Sequence, residues 1–125
     1  IFDIMGRNTP AEDMQMQSYK EGQQYLHHYD FFEPGSAHVK QGQGQRTYTF
    51  MIYLTDVKKG GETDFIKLDL KVMPKKGMAV IWNNLYDDGN VNYWMHHAGL
   101  PPKELHVKNG KEIKKVIITK WFRQM

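Results

Sequence analysis

The spacing of chain breakers constrains this sequence most. From residue 14 onward, glycines, prolines and Asp-Gly or Asn-Gly pairs recur so often that the stretches between them are too short for ordinary helices and suit strands. The clearest stretch is residues 47–54, Thr-Tyr-Thr-Phe-Met-Ile-Tyr-Leu, which is mostly β-branched or aromatic. Ahead of it, Met14, Met16 and Ser18 alternate with Gln15, Gln17 and Tyr19, a period of two. Gly22 interrupts that pattern, and residues 23–30 read as a second strand. Further short strands are expected at 62–66, 68–73, 78–82, 94–98 and 115–123. Turns are expected at Lys58-Lys59-Gly60-Gly61 and Asp87-Asp88-Gly89-Asn90, and Asn109-Gly110 reads as a hairpin turn. Helix is confined to the start: residues 1–5 read as a helix end before Gly6, and Thr9-Pro10-Ala11-Glu12 has capping-box spacing. Residues 31–45 form a long polar loop with Pro34, Gly35, Gly42 and Gly44, a length that in a small domain points to function. The expected class is mainly β, a sandwich or barrel with a short N-terminal helical segment.

At 125 residues the chain is expected to be one domain spanning 1–125. Its 40% apolar and 25% charged residues are those of an ordinary globular protein. No apolar run approaches the ~20 residues of a membrane helix, so no membrane partner is expected. The chain contains no cysteine, which excludes thiolate metal sites and cysteine nucleophiles and fits a reducing, cytoplasmic setting. The net charge is +3, spread over lysines such as Lys58-Lys59 and Lys75-Lys76. Without a dense basic run, no nucleic-acid partner is expected.

The candidate chemistry lies in His28 and Asp30. Two residues apart in a strand, they share a face, so one imidazole and one carboxylate converge. A third ligand would come from the pair His96-His97 in another strand. Two histidines and one carboxylate on one face of an octahedron leave three positions open, the facial triad of non-haem Fe(II) oxygenases. The strand period assigns His28 rather than His27 to the site. It does not choose between His96 and His97. His38 and His106 have no partner pattern and read as surface residues.

Several segments together resemble the prolyl 4-hydroxylase family of Fe(II)/2-oxoglutarate dioxygenases. Residues 19–30, Tyr-Lys-Glu-Gly-Gln-Gln-Tyr-Leu-His-His-Tyr-Asp, are similar to that family's Y-x-x-G-Q-x-Y-x-x-H-x-D. Gln45-Arg46-Thr47, the run 52–57, Gly60-Gly61-Glu62-Thr63-Asp64-Phe65, the run 74–79, His97-Ala98-Gly99 with Pro101, and Lys115 with Thr119-Lys120-Trp121 follow in the family's order. The resemblance implies a double-stranded β-helix (jelly roll) and selects His97, the histidine of H-A-G, as the distal ligand. It implies Fe(II), 2-oxoglutarate as co-substrate and ascorbate. It also implies catalysis in which oxidative decarboxylation of 2-oxoglutarate to succinate and CO2 accompanies hydroxylation of a substrate C–H bond.

The family's 2-oxoglutarate lysine falls on Lys115, six residues before Trp121, or on Lys114, because residues 102–114 look like an inserted hairpin. Lys115, Ile117 and Thr119 share one face of the last strand, which favours Lys115. Charge supports a cation there. Fe(II) with one aspartate carries one positive charge, the 2-oxoglutarate dianion leaves one negative charge, and a lysine restores neutrality where an unbalanced charge would be costly. Tyr19 and Thr63 match positions that hydrogen-bond the same carboxylate. Tyr25, Arg46 and Trp121 match positions that contact a peptide. Tyr25 sits five residues before Asp30, on the opposite pleat of a regular strand unless a bulge intervenes. Trp82 reads as barrel packing. The expected partner is a peptide or protein, proline-rich chains being pre-organised as polyproline II. The alternatives are the same chemistry on another peptidyl residue or a free amino acid, and, from another class, a cupin-like binding module without catalysis. The oligomeric state is left open, and an N-terminal family segment is expected before Ile1.

Overall fold

A computed structural model describes residues 10–37, 39 and 44–124. Twelve strands are formed among them: β1 Gln15–Tyr19, β2 Tyr25–His28, β3 Arg46–Tyr53, β4 Lys59–Gly60, β5 Thr63–Phe65, β6 Leu70–Val72, β7 Ala79–Asn83, β8 His97–Gly99, β9 Pro102–Glu104, β10 Val107–Lys108, β11 Lys111–Glu112 and β12 Lys115–Arg123. Eight of them make two four-stranded sheets, ordered β1-β12-β3-β7 and β2-β8-β5-β6. Every pairing is antiparallel. This is the jelly-roll arrangement expected from the sequence.

The longest strands explain the core. Along β3, Thr49, Met51 and Tyr53 are buried, and along β12 so are Lys115, Ile117 and Thr119. Alternate side chains of two neighbouring strands therefore face the second sheet. Met51, Tyr53 and Ile117 pack there against Phe65 and Trp82. Trp82 meets Phe65 edge-on at 5.1 Å between ring centroids, a favoured aromatic geometry. Asn109 and Gly110 both have positive φ, 52° and 75°, and join β10 to β11 as a two-residue hairpin. The hairpin expected within 102–114 is thus present. Lys114 is exposed and Lys115 buried, which favours Lys115 as the one that faces the interior.

Three expectations change. The strand expected over 94–98 begins only at His97, because Tyr93–Met95 form a 3₁₀ turn whose first residues are capped by the Asn92 side chain accepting from the Trp94 amide. The two strands expected over 62–66 and 68–73 are both present but shorter, as β5 and β6, because Ile66–Leu68 form a 3₁₀ turn closed by Asp69 in the left-handed region. No helix forms at residues 10–12. Ala11 bridges Phe122, and the Glu12 amide donates to the Trp121 carbonyl. The Glu12 carboxylate goes to Arg46 instead of a helix cap, with Nε–Oε2 at 2.6 Å and Nη2–Oε1 at 2.8 Å, and it also meets Arg123 Nη1 at 3.2 Å. A bidentate pair with a second arginine outweighs a single cap bond. The helix end expected at 1–5 lies outside the described residues.

That cluster is a stability element. Arg46's hydrogen bond holds the Glu12 carboxyl below its ordinary range against the opposing push of burial, with the charges of both arginines adding to it. Glu12→Gln is expected to lower stability by about 2 kcal/mol, because two half-buried guanidiniums lose their counter-charge. The check is the urea midpoint at unchanged m-value.

Candidate active site

Strand β8 lies between β2 and β5, and its register assembles the metal ligands. His28 pairs directly with His97, and Phe65 pairs with His97 from the other side. Directly opposed residues share a face with Cβ atoms about 5 Å apart, so the two imidazoles meet, with ring centroids 4.3 Å apart. Asp30 follows β2 in a bend and is buried. Its Oδ1 stands 3.2 Å from His28 Nε2 and 3.4 Å from His97 Nε2. Adjacent ligands on a metal with bonds of about 2.1 Å lie roughly 3 Å apart in an octahedron, so this spacing fits an ion held by all three.

Each imidazole is oriented from behind. His28 Nδ1 lies 2.7 Å from the Leu26 carbonyl and His97 Nδ1 lies 2.8 Å from the Met95 carbonyl. Carbonyls accept only, so Nδ1 carries a proton and Nε2 is the nitrogen that faces Asp30: protonated it donates to the carboxylate, and deprotonated it would offer its lone pair to an ion. Burial alone would raise the Asp30 carboxyl, but hydrogen bonds from His28, His97 and Thr49 hold it well below the carboxylate range. Burial would lower the His97 imidazole, and the hydrogen bond and charge of Asp30 raise it instead. His27 and His96 lie on the other side of the strands. They pair with each other at 5.7 Å, and His96 stacks on Tyr29 at 4.5 Å. Among the described residues, His28, Asp30 and His97 are the one cluster of this kind that could hold a metal.

The three ligands open into a cleft that is also lined by Tyr19, Tyr25, Thr63, Trp82, Gly99, Lys115 and Trp121. Lys115 is 2% exposed, and among the described residues it forms no ion pair. Burial brings its ammonium down from 10.5 to about 8, partly opposed by the charge of Glu62. A buried cation without a counter-ion, aimed at the same cleft as a metal triad, fits an anionic co-substrate. Tyr19 is its register partner on β1, with Nζ 5.0 Å from the ring. The Tyr19 hydroxyl donates to Gln17 Oε1 at 3.0 Å, so engaging a carboxylate would require it to leave Gln17. Thr63 pairs with Gly99, and its hydroxyl lies 2.6 Å from that of Tyr53. A Cβ at Gly99 would stand 3.7 Å from Lys115 Nζ, inside the space a carboxylate would use.

The substrate-contact candidates separate. Tyr25 pairs with Gly99 while His28 pairs with His97, so three residues of β2 span two of β8. This bulge returns Tyr25 to the ligand face, 4.0 Å from the His28 ring, and it remains 44% exposed. Trp121 lines the cleft, with the Arg46 guanidinium 4.0 Å above its ring. The fork of Arg46 is occupied by Glu12, leaving Nη1 directed at the Asp30 carbonyl at 3.4 Å. Trp82 is both core and cleft wall, 4.9 Å from the His97 ring.

Two residues of the site escaped the sequence reading, Thr49 and Asn84. Thr49 does carry a signal: it is a hydroxyl on the buried face of the strongest strand. Asn84 carries none that local patterning could reveal.

Two histidines and one aspartate converging inside a double-stranded β-helix, with a buried lysine on the same cleft, define a non-haem metal oxygenase type of site. The sequence profile of the 2OG-Fe(II) oxygenase superfamily matches residues 14–123. The alpha-1 subunits of prolyl 4-hydroxylase from Gallus gallus and Homo sapiens are each 40% identical over 105 residues, covering 81% of this chain and 20% of theirs. Among solved structures, the viral collagen prolyl hydroxylase of Paramecium Bursaria Chlorella virus-1 in its 2OG complex matches with a TM-score of 0.77 at 34% identity, over 95% of this chain and 62% of that one. A Pseudomonas putida prolyl-4-hydroxylase, at 22% identity and a TM-score of 0.61, shares the fold. The chain spans about a fifth of the length of those curated relatives. It belongs to the 2OG-Fe(II) oxygenase superfamily, whose cofactors are Fe(II) and 2-oxoglutarate, with ascorbate typical of its prolyl 4-hydroxylases.

Proposed function

We propose that this chain is the catalytic domain of a peptidyl-proline 4-hydroxylase. The observation that carries the chemistry is the buried, unpaired Lys115 facing the cleft of His28, Asp30 and His97. The likeness to prolyl 4-hydroxylase subunits and to a viral collagen prolyl hydroxylase supports a prolyl substrate.

Fe(II) and 2-oxoglutarate, when bound, supply the activation of O2 and the oxidising equivalents for C–H hydroxylation. The chain supplies everything around them. His28, His97 and Asp30 would hold the ion. Lys115 would neutralise the far carboxylate, with the Thr63 hydroxyl beside it and the Tyr19 hydroxyl able to join once it leaves Gln17. Met51, Trp82 and Ile117 wall the cleft with apolar surface, which strengthens charge interactions inside and keeps water from the reacting atoms. Tyr25 and Trp121 offer two aromatic faces at the ligand side of the cleft, suited to a prolyl ring and to the preformed polyproline II backbone of a proline-rich peptide. Arg46, held by Glu12, braces Trp121 and presents Nη1 beside Asp30 as a further peptide contact. The substrate carbon must be held close and in one orientation, and that positioning is the protein's contribution to rate and specificity.

The test is succinate release from 2-oxoglutarate with Fe(II) and ascorbate, with and without a proline-rich peptide, for the protein and for His28→Ala. Peptide-stimulated turnover and its loss in the variant are expected. Turnover that no proline-containing peptide stimulates would reassign the substrate. Absence of turnover in the folded, iron-loaded protein would favour a binding module.

A further inference from the structure

Behind Asp30 lies a buried polar chain that the metal triad does not explain. Thr49 on β3 is 0% exposed, and Asn84, just past β7, is 1% exposed. The Thr49 hydroxyl donates to Asp30 Oδ2 at 2.6 Å, and Asn84 Nδ2 donates to Thr49 Oγ1 at 2.9 Å. The polarity of this chain is forced. A carboxylate only accepts, so the single proton of Thr49 goes to Asp30, and Thr49 can then only accept from Asn84. A flipped amide would set two acceptors against each other. The backbone of Asn84 is pinned as well: its amide donates to the Thr47 carbonyl, and its carbonyl accepts from the Asn92 amide.

We infer that Asn84 and Thr49 are positioning residues that hold Asp30 to one metal-facing oxygen. Oδ2 is engaged by Thr49, while Oδ1 alone meets both imidazoles, at 3.2 and 3.4 Å. Without the Thr49 donor the carboxylate is free to turn and offer both oxygens. A second oxygen on the ion would take one of the three positions that a facial triad leaves open; a co-substrate that needs two would then be confined to the two that remain, out of its alignment with Lys115 or with no position left for O2. The relay therefore acts less on metal capture than on what the captured metal has left to bind. It reaches Asp30 from the β3–β7 side of the barrel, whereas the histidines come from β2 and β8, so the centre is clamped between both sheets.

This inference rests on the metal and co-substrate reading above, and the experiment separates the two. Co(II) is titrated into the protein and into Thr49→Val, Thr49→Ser and Asn84→Leu. The cobalt absorption spectrum reports coordination, and 2-oxoglutarate is then titrated into each loaded protein. Thr49→Val is expected to bind Co(II) within a few-fold of wild type, to show an altered cobalt spectrum, and to bind 2-oxoglutarate about 10- to 100-fold more weakly. Thr49→Ser restores the hydroxyl and should restore both readouts. Asn84→Leu removes the donor that fixes the Thr49 hydroxyl on Asp30 and should shift both readouts in the same direction as Thr49→Val, so the inference stays testable if Thr49→Val does not fold. A wild-type spectrum and wild-type 2-oxoglutarate affinity in the folded Thr49→Val or Asn84→Leu variant would overturn the relay. So would failure of Thr49→Ser to rescue. If wild type itself takes up no Co(II), the metal reading falls and the relay with it.

Discussion

Replacing Lys115 with methionine is expected to weaken 2-oxoglutarate binding by roughly 10²–10⁴ and, at the same time, to raise the melting temperature of the ligand-free protein. The two effects share one cause. Lys115 is buried and has no counter-ion among the described residues, and burial brings its ammonium down from 10.5 to about 8. For a group depressed in the folded state, the favourable contribution is full above 10.5 and is lost as pH falls through about 8. At neutral pH the charged form therefore costs the fold about 3 kcal/mol. Methionine fills similar volume without that cost, so a gain of about 1–3 kcal/mol is expected.

A bound dicarboxylate sees the opposite. Losing the buried Lys115 cation leaves one charge uncompensated, worth about 3–5 kcal/mol or roughly 10²–10⁴ in affinity. The pH dependence follows with the same sign logic. Binding an anion favours the ammonium, so wild-type affinity should fall by up to about tenfold per pH unit above about 8. The variant should be flat there. Calorimetric 2-oxoglutarate titrations across pH, beside thermal unfolding, read both halves. A variant that is destabilised and still binds would sink the assignment.

The second large effect is at Asp30. Asp30→Ala removes the one anionic ligand and should eliminate metal binding, with turnover falling by more than about 10³ if the one-ångström displacements that cost about 10² are a guide. Asp30→Glu tests position instead of charge. Its added methylene has no room beside a hydroxyl at 2.6 Å, so it should keep weak metal binding and lose about 10² in turnover. Binding is read without catalysis as well. An ion at 100 times its dissociation constant stabilises the native state by about 2.7 kcal/mol, and that metal-induced thermal shift should be present in wild type and absent in Asp30→Ala. A retained shift would mean that the ion sits elsewhere.

The sequence by itself determined the strands, because their information is local. Strand β12 was legible to its end residues, and a period of two placed Lys115, Ile117 and Thr119 on one face, which the fold then buries. An Asn-Gly pair marked the β10–β11 hairpin, since both its residues take positive φ. The same period put His28 and Asp30 on one face and turned His27 outward.

Tertiary structure decided what depends on pairing between distant strands. His96 and His97 are indistinguishable by period. The register of β8 against β2 turns His97 inward, where before the fold was known only the family resemblance chose it. Tyr25 faces the ligands because of one extra residue in β2, and a bulge exists only relative to the partner strand it slips against. Glu12 reads locally as a helix cap and ends as the counter-ion of Arg46 and Arg123, residues far along the chain whose combined charge outweighs a cap bond. Thr49 and Asn84 reach Asp30 across the barrel, and such a contact forms only when two sheets close on one another. Local patterning writes which face of a strand is buried; which buried groups then touch is set by register and sheet packing, and no short window of sequence contains them.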